Sequence, residues 1–187
     1  MAEGSSGRGV IMRKITFGVS NSLDNYVARA DDAIDWLMPN PEAAAVLADY
    51  WKSIDTILMG RKTYDVALRR DKGEGIQSFG MQTYVFSRTL KPGEQGNVTI
   101  IPSDAVDFVR ALKGREGKDI CLVSGGELAR ALFEAGLIDE IRLNTHPLLL
   151  GSGIPLFHPM TGQIKLELLE SRQFPNGCVL ARYGVKR

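Results

Sequence analysis

Three short stretches of the sequence carry residue types that could hold the phosphates of a ligand. They read SGGEL at 124–128, GRKT at 60–63 and SR at 87–88. Glycine lets a backbone approach a ligand closely, and the N–H groups at a helix start favour an anion. Arginine offers a planar fork to phosphate oxygens, and lysine offers a point charge. Taken alone, the glycine pair is equally an ordinary turn, but the three stretches together predict one polyphosphate site.

Each of these stretches follows a predicted strand. The short apolar runs at 120–123 and 56–59 are typical of strands buried on both faces, and the run at 83–90 alternates. After the glycine pair, apolar residues recur at helical spacing: Leu128, Ala131, Leu132 and Ala135. In an open α/β sheet, ligands bind outside the carboxyl ends of the strands. We therefore expect the three stretches to meet at one edge of a sheet.

The remaining elements predict the fold class. Further strands are expected at 14–20, 97–101 and 138–143, and Asn40 followed by Pro41 predicts the start of a helix. The tripeptide Pro-Asn-Gly at 175–177 lies between two alternating runs and indicates a hairpin. These elements predict an α/β fold, a three-layer αβα sandwich. Its central mixed sheet is mainly parallel and carries an antiparallel C-terminal hairpin.

The bulk properties exclude several classes of protein. The chain has 187 residues, 44% of them hydrophobic and 24% charged, with a formal net charge of +1. The near-neutral charge gives no sign of a nucleic-acid partner, and no apolar run approaches a membrane span. We predict a single domain over 13–187 and a disordered Gly/Ser-rich leader over 1–12, which lacks the apolar core of a signal peptide. The cytoplasm is the expected location.

The cysteines and histidines predict no metal site. Cys121 and Cys178 are too few for a disulfide framework, and no zinc-ligand spacing occurs. His146 and His158 each precede a proline or lie far from other ligands, so we interpret them as structural. The chain also lacks the G-x-G-x-x-G and G-x-x-x-x-G-K-[ST] fingerprints, so a bound nucleotide would use a different arrangement.

Together these residues resemble the dihydrofolate reductase superfamily. The resemblance runs from Arg13 over nearly the whole chain and rests on the order and spacing of five motifs. They are SLDNYVA, ILMGRKTY, VFSR, LVSGGELARAL with GLIDEIRLN, and PLLLGSGIPLF. The sequence is most similar to the small bacterial stand-alone members, which are related to the reductase domain of riboflavin biosynthesis.

The resemblance implies an NADPH-dependent reductase with its cofactor across the strand ends. It assigns the cofactor phosphates to Gly60, Arg61, Lys62 and Thr63, and the adenosine 2′-phosphate to Ser87 and Arg88. It assigns the pyrophosphate to Ser124, Gly125, Gly126, Glu127 and Leu128, and the nicotinamide to Val19, Val27 and Ala28. Relatives of the riboflavin type often pair, so a homodimer is expected.

The catalytic residues are less determined than the cofactor site. A proton donor should be an acid in a partly apolar pocket, where desolvation raises its pKa towards neutrality. Asp35, between Ile34 and Trp36, fits that description, while Glu42 is nearer in chain order to the acid of the folate reductases. Both stay open as catalytic candidates. Trp36 and Thr145 are the candidates for contact with the substrate.

The substrate itself stays open. The riboflavin reductases commonly carry an acid where this chain has Ser124, and the folate reductases carry a basic residue where it has SFGMQTY before Ser87. We therefore expect hydride transfer to a small heterocyclic substrate. The alternatives are the phosphoribosylamino-pyrimidine reductase of riboflavin biosynthesis and a dinucleotide-binding module without catalysis.

Overall fold

The computed structural model describes residues 12–70, 80–102, 104–124 and 126–187. The leader predicted at 1–12 therefore lies outside the described residues, apart from Met12. The strands are β1 (Ile15–Ser22), β2 (Tyr26–Ala28), β3 (Ile54–Gly60), β4 (Gln82–Phe86), β5 (Gly93–Gln95), β6 (Val98–Ile101), β7 (Asp119–Leu122), β8 (Glu140–His146), β9 (Ile154–Pro155), β10 (Leu166–Gln173) and β11 (Val179–Val185). The helices are α1 (Pro41–Lys52), α2 (Arg61–Arg70), α3 (Ala105–Lys113) and α4 (Gly126–Glu134).

One large sheet of the described residues organises the molecule, in the order β10-β11-β8-β1-β7-β3-β4-β6-β5. The six strands from β8 to β6 are parallel to one another, and antiparallel strands extend the sheet at both ends. The predicted hairpin is β10–β11, which turns at Asn176 and Gly177. The predicted mainly parallel sheet with an antiparallel hairpin is confirmed.

Helices cover both faces of the sheet and complete the three layers. On one face, α3 and α4 bury Val109, Leu112 and Leu132 against strand residues such as Phe17 and Leu122. On the other face, α1 and α2 pack Trp51, Tyr64 and Ala67 against β3, β4 and β6. The central strands are buried on both sides, which is why they read as continuous apolar runs.

Local signals place the helix ends. Asn40 caps α1, its side chain accepting hydrogen bonds from the N–H groups of Glu42 and Ala43, and Pro41 occupies the first helical position. Several strand bounds differ from the prediction. β4 ends at Phe86, before Ser87 and Arg88, and β8 begins at Glu140 and continues to His146. The polar end of β8, Asn144 to His146, therefore belongs to the sheet.

A buried ion pair fixes the start of β8. Lys113, at the end of α3, is 3% exposed, and its ammonium group contacts Asp139 Oδ2 and lies 3.1 Å from the carbonyl oxygen of Leu137. Asp139 Oδ2 also accepts from the N–H of Ile15 at 2.8 Å. One carboxylate thus joins a helix end to two neighbouring parallel strands.

Replacing Asp139 by Ala should destabilise the protein by about 3 kcal/mol, because it leaves the Lys113 ammonium buried without its carboxylate. Urea unfolding followed by circular dichroism gives the free energy of unfolding. Asp107→Ala is the control, since its carboxylate pairs with Arg110 in an exposed i,i+3 geometry. That loss should stay below about 0.5 kcal/mol. Equal effects of the two changes would contradict the role given to Asp139.

Candidate functional site

A cleft of about 1280 Å³ opens at the carboxyl ends of the central strands. The ends of β1, β3, β4 and β7 contribute to it, together with the starts of α2 and α4 and one face of α1. Parallel pairing puts these strand ends at the same edge of the sheet, which brings together residues distant in the sequence. The cleft therefore lies where ligands bind in open α/β sheets.

Two strand ends meet through Gly60 and Ser124. The N–H of Gly60 donates to Ser124 Oγ at 3.2 Å, which joins the end of β3 to the end of β7. A Cβ atom at Gly60 would lie 3.1 Å from that oxygen, closer than nearly all real Cβ contacts. Glycine at position 60 therefore lets the two chain segments approach, and it leaves the start of α2 open to the cleft.

The second glycine turn lies at the start of α4. Gly126 has a φ of 69°, which favours glycine, and a Cβ atom there would lie 3.2 Å from His158 Nε2. The carboxylate of the next residue, Glu127, pairs with Arg130 at 2.6 Å and lies 3.6 Å from His158 Nδ1. Gly125 lies outside the described residues. The α4 start thus faces the cleft with a histidine beside it.

The cations near the cleft differ in how far they are already paired. Arg61 donates to the Asp65 carboxylate at 2.7 and 2.9 Å and to Thr89 Oγ1 at 2.9 Å. Lys62 and Arg88 are exposed and have no hydrogen bond or ion pair to any described residue. Ser87 is buried, and its Oγ accepts from the N–H of Leu90 at 3.0 Å, so it shapes the turn that carries Arg88.

The opposite wall of the cleft is apolar. Val19 and Val27 are half-buried and pack against the core beneath α3 and α4, and Ala28 is buried. β2 is held in place by antiparallel pairing with β9, in which Ala28 lies opposite Ile154. Such a wall suits the flat, largely apolar face of an aromatic ring.

All the described residues predicted to bind the cofactor line this one cleft. They are Val19, Val27, Ala28, Gly60, Arg61, Lys62, Thr63, Ser87, Arg88, Ser124, Gly126, Glu127 and Leu128. The cradle is formed by two glycine turns, two helix starts and unpaired cations, and this set of donors fits a dinucleotide with phosphate groups. Their roles in binding stay predictions.

The prediction for Asp35 was wrong in its physical basis. It required an acid whose pKa is raised by an apolar pocket, but the Asp35 side chain is 66% exposed and pairs with Arg29 at 2.8 Å. The hydrogen bond from Arg29 lowers the pKa of the Asp35 carboxyl. An exposed, ion-paired carboxylate is a poor proton donor near neutral pH. Asp35 also does not line the cleft.

The other three candidates are placed outside the cleft as well. Glu42 is exposed in the first turn of α1, where a carboxylate meets the positive end of the helix dipole. Trp36 is buried behind His146, with ring centroids 5.3 Å apart in an edge-to-face arrangement. Thr145 donates to Asn21 Oδ1 at 3.1 Å on the face of β8 away from the cleft. Side chains alternate along a strand, so its neighbours Asn144 and His146 face the cleft instead.

Sequence reasoning missed the part of the cleft between β8 and α1. The floor carries Arg142, Asn144 and His146, and the wall is the apolar face of α1: Ala43, Ala44, Val46, Leu47, Tyr50 and Trp51. The alternation in IRLNTH contains the signal, since its second, fourth and sixth residues are polar. Extending the predicted strand from Leu143 to His146 would have placed these three residues on one face.

His146 is held in one orientation at this floor. The N–H of Met38 donates to Nδ1 at 3.3 Å, and Cys178 Sγ lies 3.4 Å from the same nitrogen. The amide nitrogen of Asn144 lies 3.2 Å from Nε2, while its Oδ1 is buried without a hydrogen-bond partner among the described residues; turning the amide by 180° lets Oδ1 accept from an Nε2–H group. Because Nδ1 accepts from a backbone N–H, the neutral ring carries its proton on Nε2; this tautomer is inferred from the partners. Burial lowers the pKa of His146, so the ring is neutral at physiological pH.

Among the described residues, no three His, Cys, Asp or Glu side chains are grouped so that they could hold a metal ion. None of the helices in the described ranges is long and apolar enough to cross a membrane.

Comparison with known proteins identifies the family. The sequence profile described as the RibD C-terminal domain matches residues 13–180. The uncharacterized protein YyaP of Bacillus subtilis is 33% identical over 181 residues, which cover 91% of this chain and 94% of that protein. The predicted resemblance to stand-alone relatives of the riboflavin reductase domain is confirmed.

Solved structures agree with this result. A Shewanella sp. PV-4 protein named for riboflavin biosynthesis superposes with a TM-score of 0.81 at 27% identity, covering 94% of this chain and all of that one. Dihydrofolate reductase from Enterococcus faecalis, solved with NADP(H), superposes with a TM-score of 0.65 at 13% identity. That match covers 93% of this chain and 97% of that one, and it shows the shared fold. The predicted dihydrofolate reductase-like fold is confirmed.

The buried histidine gives a prediction for stability against pH. The folded protein keeps the pKa of His146 below its unfolded value of about 6.5, so below that pH the unfolded state binds more protons. The contribution of His146 to stability should therefore be complete above about pH 6.5 and decrease as the pH falls through it. His146→Gln should remove a slope of up to about 1.4 kcal/mol per pH unit.

Urea unfolding at pH 7.5 and at lower pH values, about 6 and 5, measures this slope. Thr145→Ser is the control, because it changes the neighbouring residue of β8 and removes no titratable group. It should leave the slope of the wild type unchanged. A His146→Gln protein with the wild-type slope would assign the acid sensitivity to other groups.

Proposed function

This chain belongs to the RibD C-terminal domain family, and we propose that it is an NADPH-dependent reductase of a small heterocyclic substrate. The observation that carries the proposal is the cleft itself. Two helix starts, two glycine turns and the cations Arg61, Lys62 and Arg88 converge on it from three separate stretches of sequence. A reductase of this kind needs such a phosphate-binding edge beside a flat apolar wall.

The proposed cofactor fits along the cleft in one direction. Its pyrophosphate would lie at the starts of α2 and α4, where backbone N–H groups and the helix dipoles favour negative charge. Its 2′-phosphate would lie near Arg88, which has no competing carboxylate among the described residues. Its nicotinamide would lie along Val19, Val27 and Ala28, and the substrate would occupy the space between that ring and α1.

When bound, the cofactor supplies a hydride, so the protein has to orient the substrate ring and exclude side reactions. The apolar face of α1 keeps water away from one side of the substrate space. The cleft-lining carboxylates among the described residues are Asp32 and Glu127, and each is near an arginine, at 3.3 and 2.6 Å. We infer that water in the cleft, rather than a carboxylic acid, delivers the proton.

Two alternatives are carried by specific observations. The Shewanella relative named for riboflavin biosynthesis favours the phosphoribosylamino-pyrimidine reductase, although Ser124 stands where those enzymes commonly carry an acid. Among the described residues, no carboxylate lines the cleft beside α1. A dinucleotide-binding module without catalysis would show the same feature. Measuring NADPH oxidation with a panel of heterocyclic acceptors distinguishes the alternatives. A reductase oxidises NADPH in the presence of its substrate, whereas a binding module binds NADPH without turnover.

We further propose a cytoplasmic protein built as a single domain over 13–187. We also propose that two copies pair. β10 ends the described sheet, and its leucines Leu166, Leu168 and Leu169 are exposed, with Leu168 at 57%. An exposed apolar edge strand is a template for pairing, and a second copy presents the same edge with matching chemistry. Pairing would cover these leucines and leave the cleft open.

The cofactor proposal makes a prediction about the 2′-phosphate. Arg88→Ala should weaken NADPH by about tenfold or more and NADH by less than about threefold, because one charge-assisted contact to the extra phosphate is lost. Arg61→Ala should act in the same direction but less strongly, since Asp65 already holds its guanidinium. Calorimetric titration with both cofactors measures these affinities.

Arg110→Ala is the control for charge alone, because Arg110 lies on the exposed side of α3 and pairs with Asp107. It should bind both cofactors as the wild type does. Equal losses of NADPH and NADH affinity in Arg88→Ala would place the guanidinium away from the 2′-phosphate. A wild-type protein that binds neither cofactor would remove the main support for a reductase.

The pairing proposal is tested by Leu168→Glu, which puts a charge on the exposed edge strand. Light scattering coupled to gel filtration should give a dimer mass for the wild type and half that mass for the variant. Leu149→Glu is the matched control, since Leu149 is an exposed leucine away from β10. A wild-type mass equal to one chain would contradict the pairing.

A further inference from the structure

Charged residues form a layer across one face of the sheet, next to the cleft. Glu170 of β10, Arg182 of β11, Arg142 of β8 and Gly18 of β1 are direct neighbours in register across four strands. Within this layer Arg182 donates to Glu170 at 3.0 Å and to Glu140 at 3.2 Å. Two cross-strand arginines side by side repel each other unless each has its own partner.

Two carboxylates of this layer, Glu140 and Glu170, are already held by Lys14 and Arg182. Glu140 is nearly buried, and although burial raises the pKa of its carboxyl, the hydrogen bonds from Lys14 and Arg182 lower it below its ordinary value. Glu170 is bound by Arg182. Lys14 and Arg182 thus hold these two carboxylates. The exposed Glu167, which lies on the same face opposite Gly184, bonds to none of the three cations Lys14, Arg142 and Arg182.

Arg142 is the cation of this layer that no carboxylate of the described residues holds. Its guanidinium lies 4.5 Å from the centroid of the Tyr50 ring, and it makes no hydrogen bond or ion pair with any residue in the described ranges. The group is half-buried, and burial lowers the pKa of the Arg142 guanidinium. A charge taken out of water without a partner destabilises the fold. The face of the Tyr50 ring offsets only part of this cost.

The surroundings of Arg142 indicate which kind of group would offset the remaining cost of burying its charge. Arg142 lines the cleft beneath α1, and Leu47 and Met38, which line the same part of the cleft, keep 42% and 38% of their surface exposed. Gly18, beside it in register, has no side chain to fill the space over the sheet. The result is an apolar slot with one unpaired, planar, fork-shaped donor at its floor.

We propose that Arg142 anchors an anionic, carboxylate-like group of a planar substrate in this slot. The inference rests on the proposed function, because it places that group in the space assigned there to the substrate, between the cofactor and α1. β8 lies two strands from β7, about 10 Å across the sheet, so this anion site is separate from the pyrophosphate site at Ser124. A guanidinium binds two oxygens in one plane, which selects a flat anion.

Benzoate and benzamide are suitable probes because they have the same shape and differ in charge. Each is titrated into the full-length protein, alone and with saturating NADPH, and the indole NMR signals of Trp36 and Trp51 report binding. Wild-type protein should bind benzoate at least tenfold more tightly than benzamide. Arg142→Ala should lose that preference, and Arg142→Lys should keep part of it, because lysine keeps the charge and loses the fork.

Arg172→Ala is the matched control, since Arg172 also lies over an aromatic ring, Phe174 at 5.5 Å, but does not line the cleft. It should keep the full preference for benzoate. A wild type that binds neither probe, or binds both equally, overturns the proposal. So does an Arg142→Ala protein that still prefers benzoate tenfold.

Thermal unfolding adds a readout that does not depend on a ligand. Arg142→Met should leave the melting temperature unchanged or raise it, because it removes an unpaired charge beside Arg182 and keeps the apolar stem. Glu140→Gln should lower it. A clear fall in melting temperature for Arg142→Met would mean that Arg142 serves packing on Tyr50, and the anion proposal would be abandoned.

The same titrations distinguish this proposal from the proposed function. All the Arg142 variants should bind NADPH within about twofold of the wild type, because the phosphates lie two strands away. If the wild type binds benzoate through Arg142 but does not bind NADPH, the anion site stands and the reductase does not. If NADPH binds and the benzoate preference is missing, the reductase stands without this site.

Discussion

The parallel pairing of β1, β3, β4 and β7 is the constraint on which the rest of the site depends. Parallel strands end at one edge of the sheet, so residues from positions 19, 60, 87 and 124 come together although the chain leaves the sheet between them. The hydrogen bond from Gly60 to Ser124 fixes two of these ends, at 3.2 Å. A Cβ atom at Gly60 would lie 3.1 Å from Ser124 Oγ, so the Ser124 side chain would have to shift by a few tenths of an ångström.

This constraint also explains why the common position of the proposed cofactor-binding residues at one sheet edge could be predicted from the sequence. Glycine turns, helix starts and cations are local signals, and the rule that parallel strand ends converge supplies the missing distance information. The same holds for α1, where Asn40 and Pro41 set the helix start by contacts within a few residues. Gly60 and Arg88 could be placed on one edge without knowing any packing.

The part of the cleft proposed for the substrate, between β8 and α1, could not be predicted because it depends on packing between distant elements. Asp35 is flanked by Ile34 and Trp36 and looks desolvated in sequence, yet its carboxylate turns outward to Arg29 while Trp36 turns inward to His146. Neighbours in sequence do not share an environment in an irregular loop. Thr145 was misplaced for a simpler reason: the register of β8 decides which face Thr145 occupies, and the predicted strand ended at residue 143, three residues before the end of β8.

The electrostatics of these two parts of the cleft differ in a way that follows from burial. The cations of the phosphate edge, Lys62 and Arg88, are exposed, so water stabilises them when no anion is present and their pairing costs little. Arg142 lies half-buried beside Arg182, with the carboxylates of Glu140 and Glu170 committed to other cations. Water therefore stabilises the positive charge of Arg142 poorly. If stability alone determined this position, an apolar residue would serve better. The position of Arg142 in the floor of an apolar slot is therefore explained best by a negative charge that arrives from outside the chain.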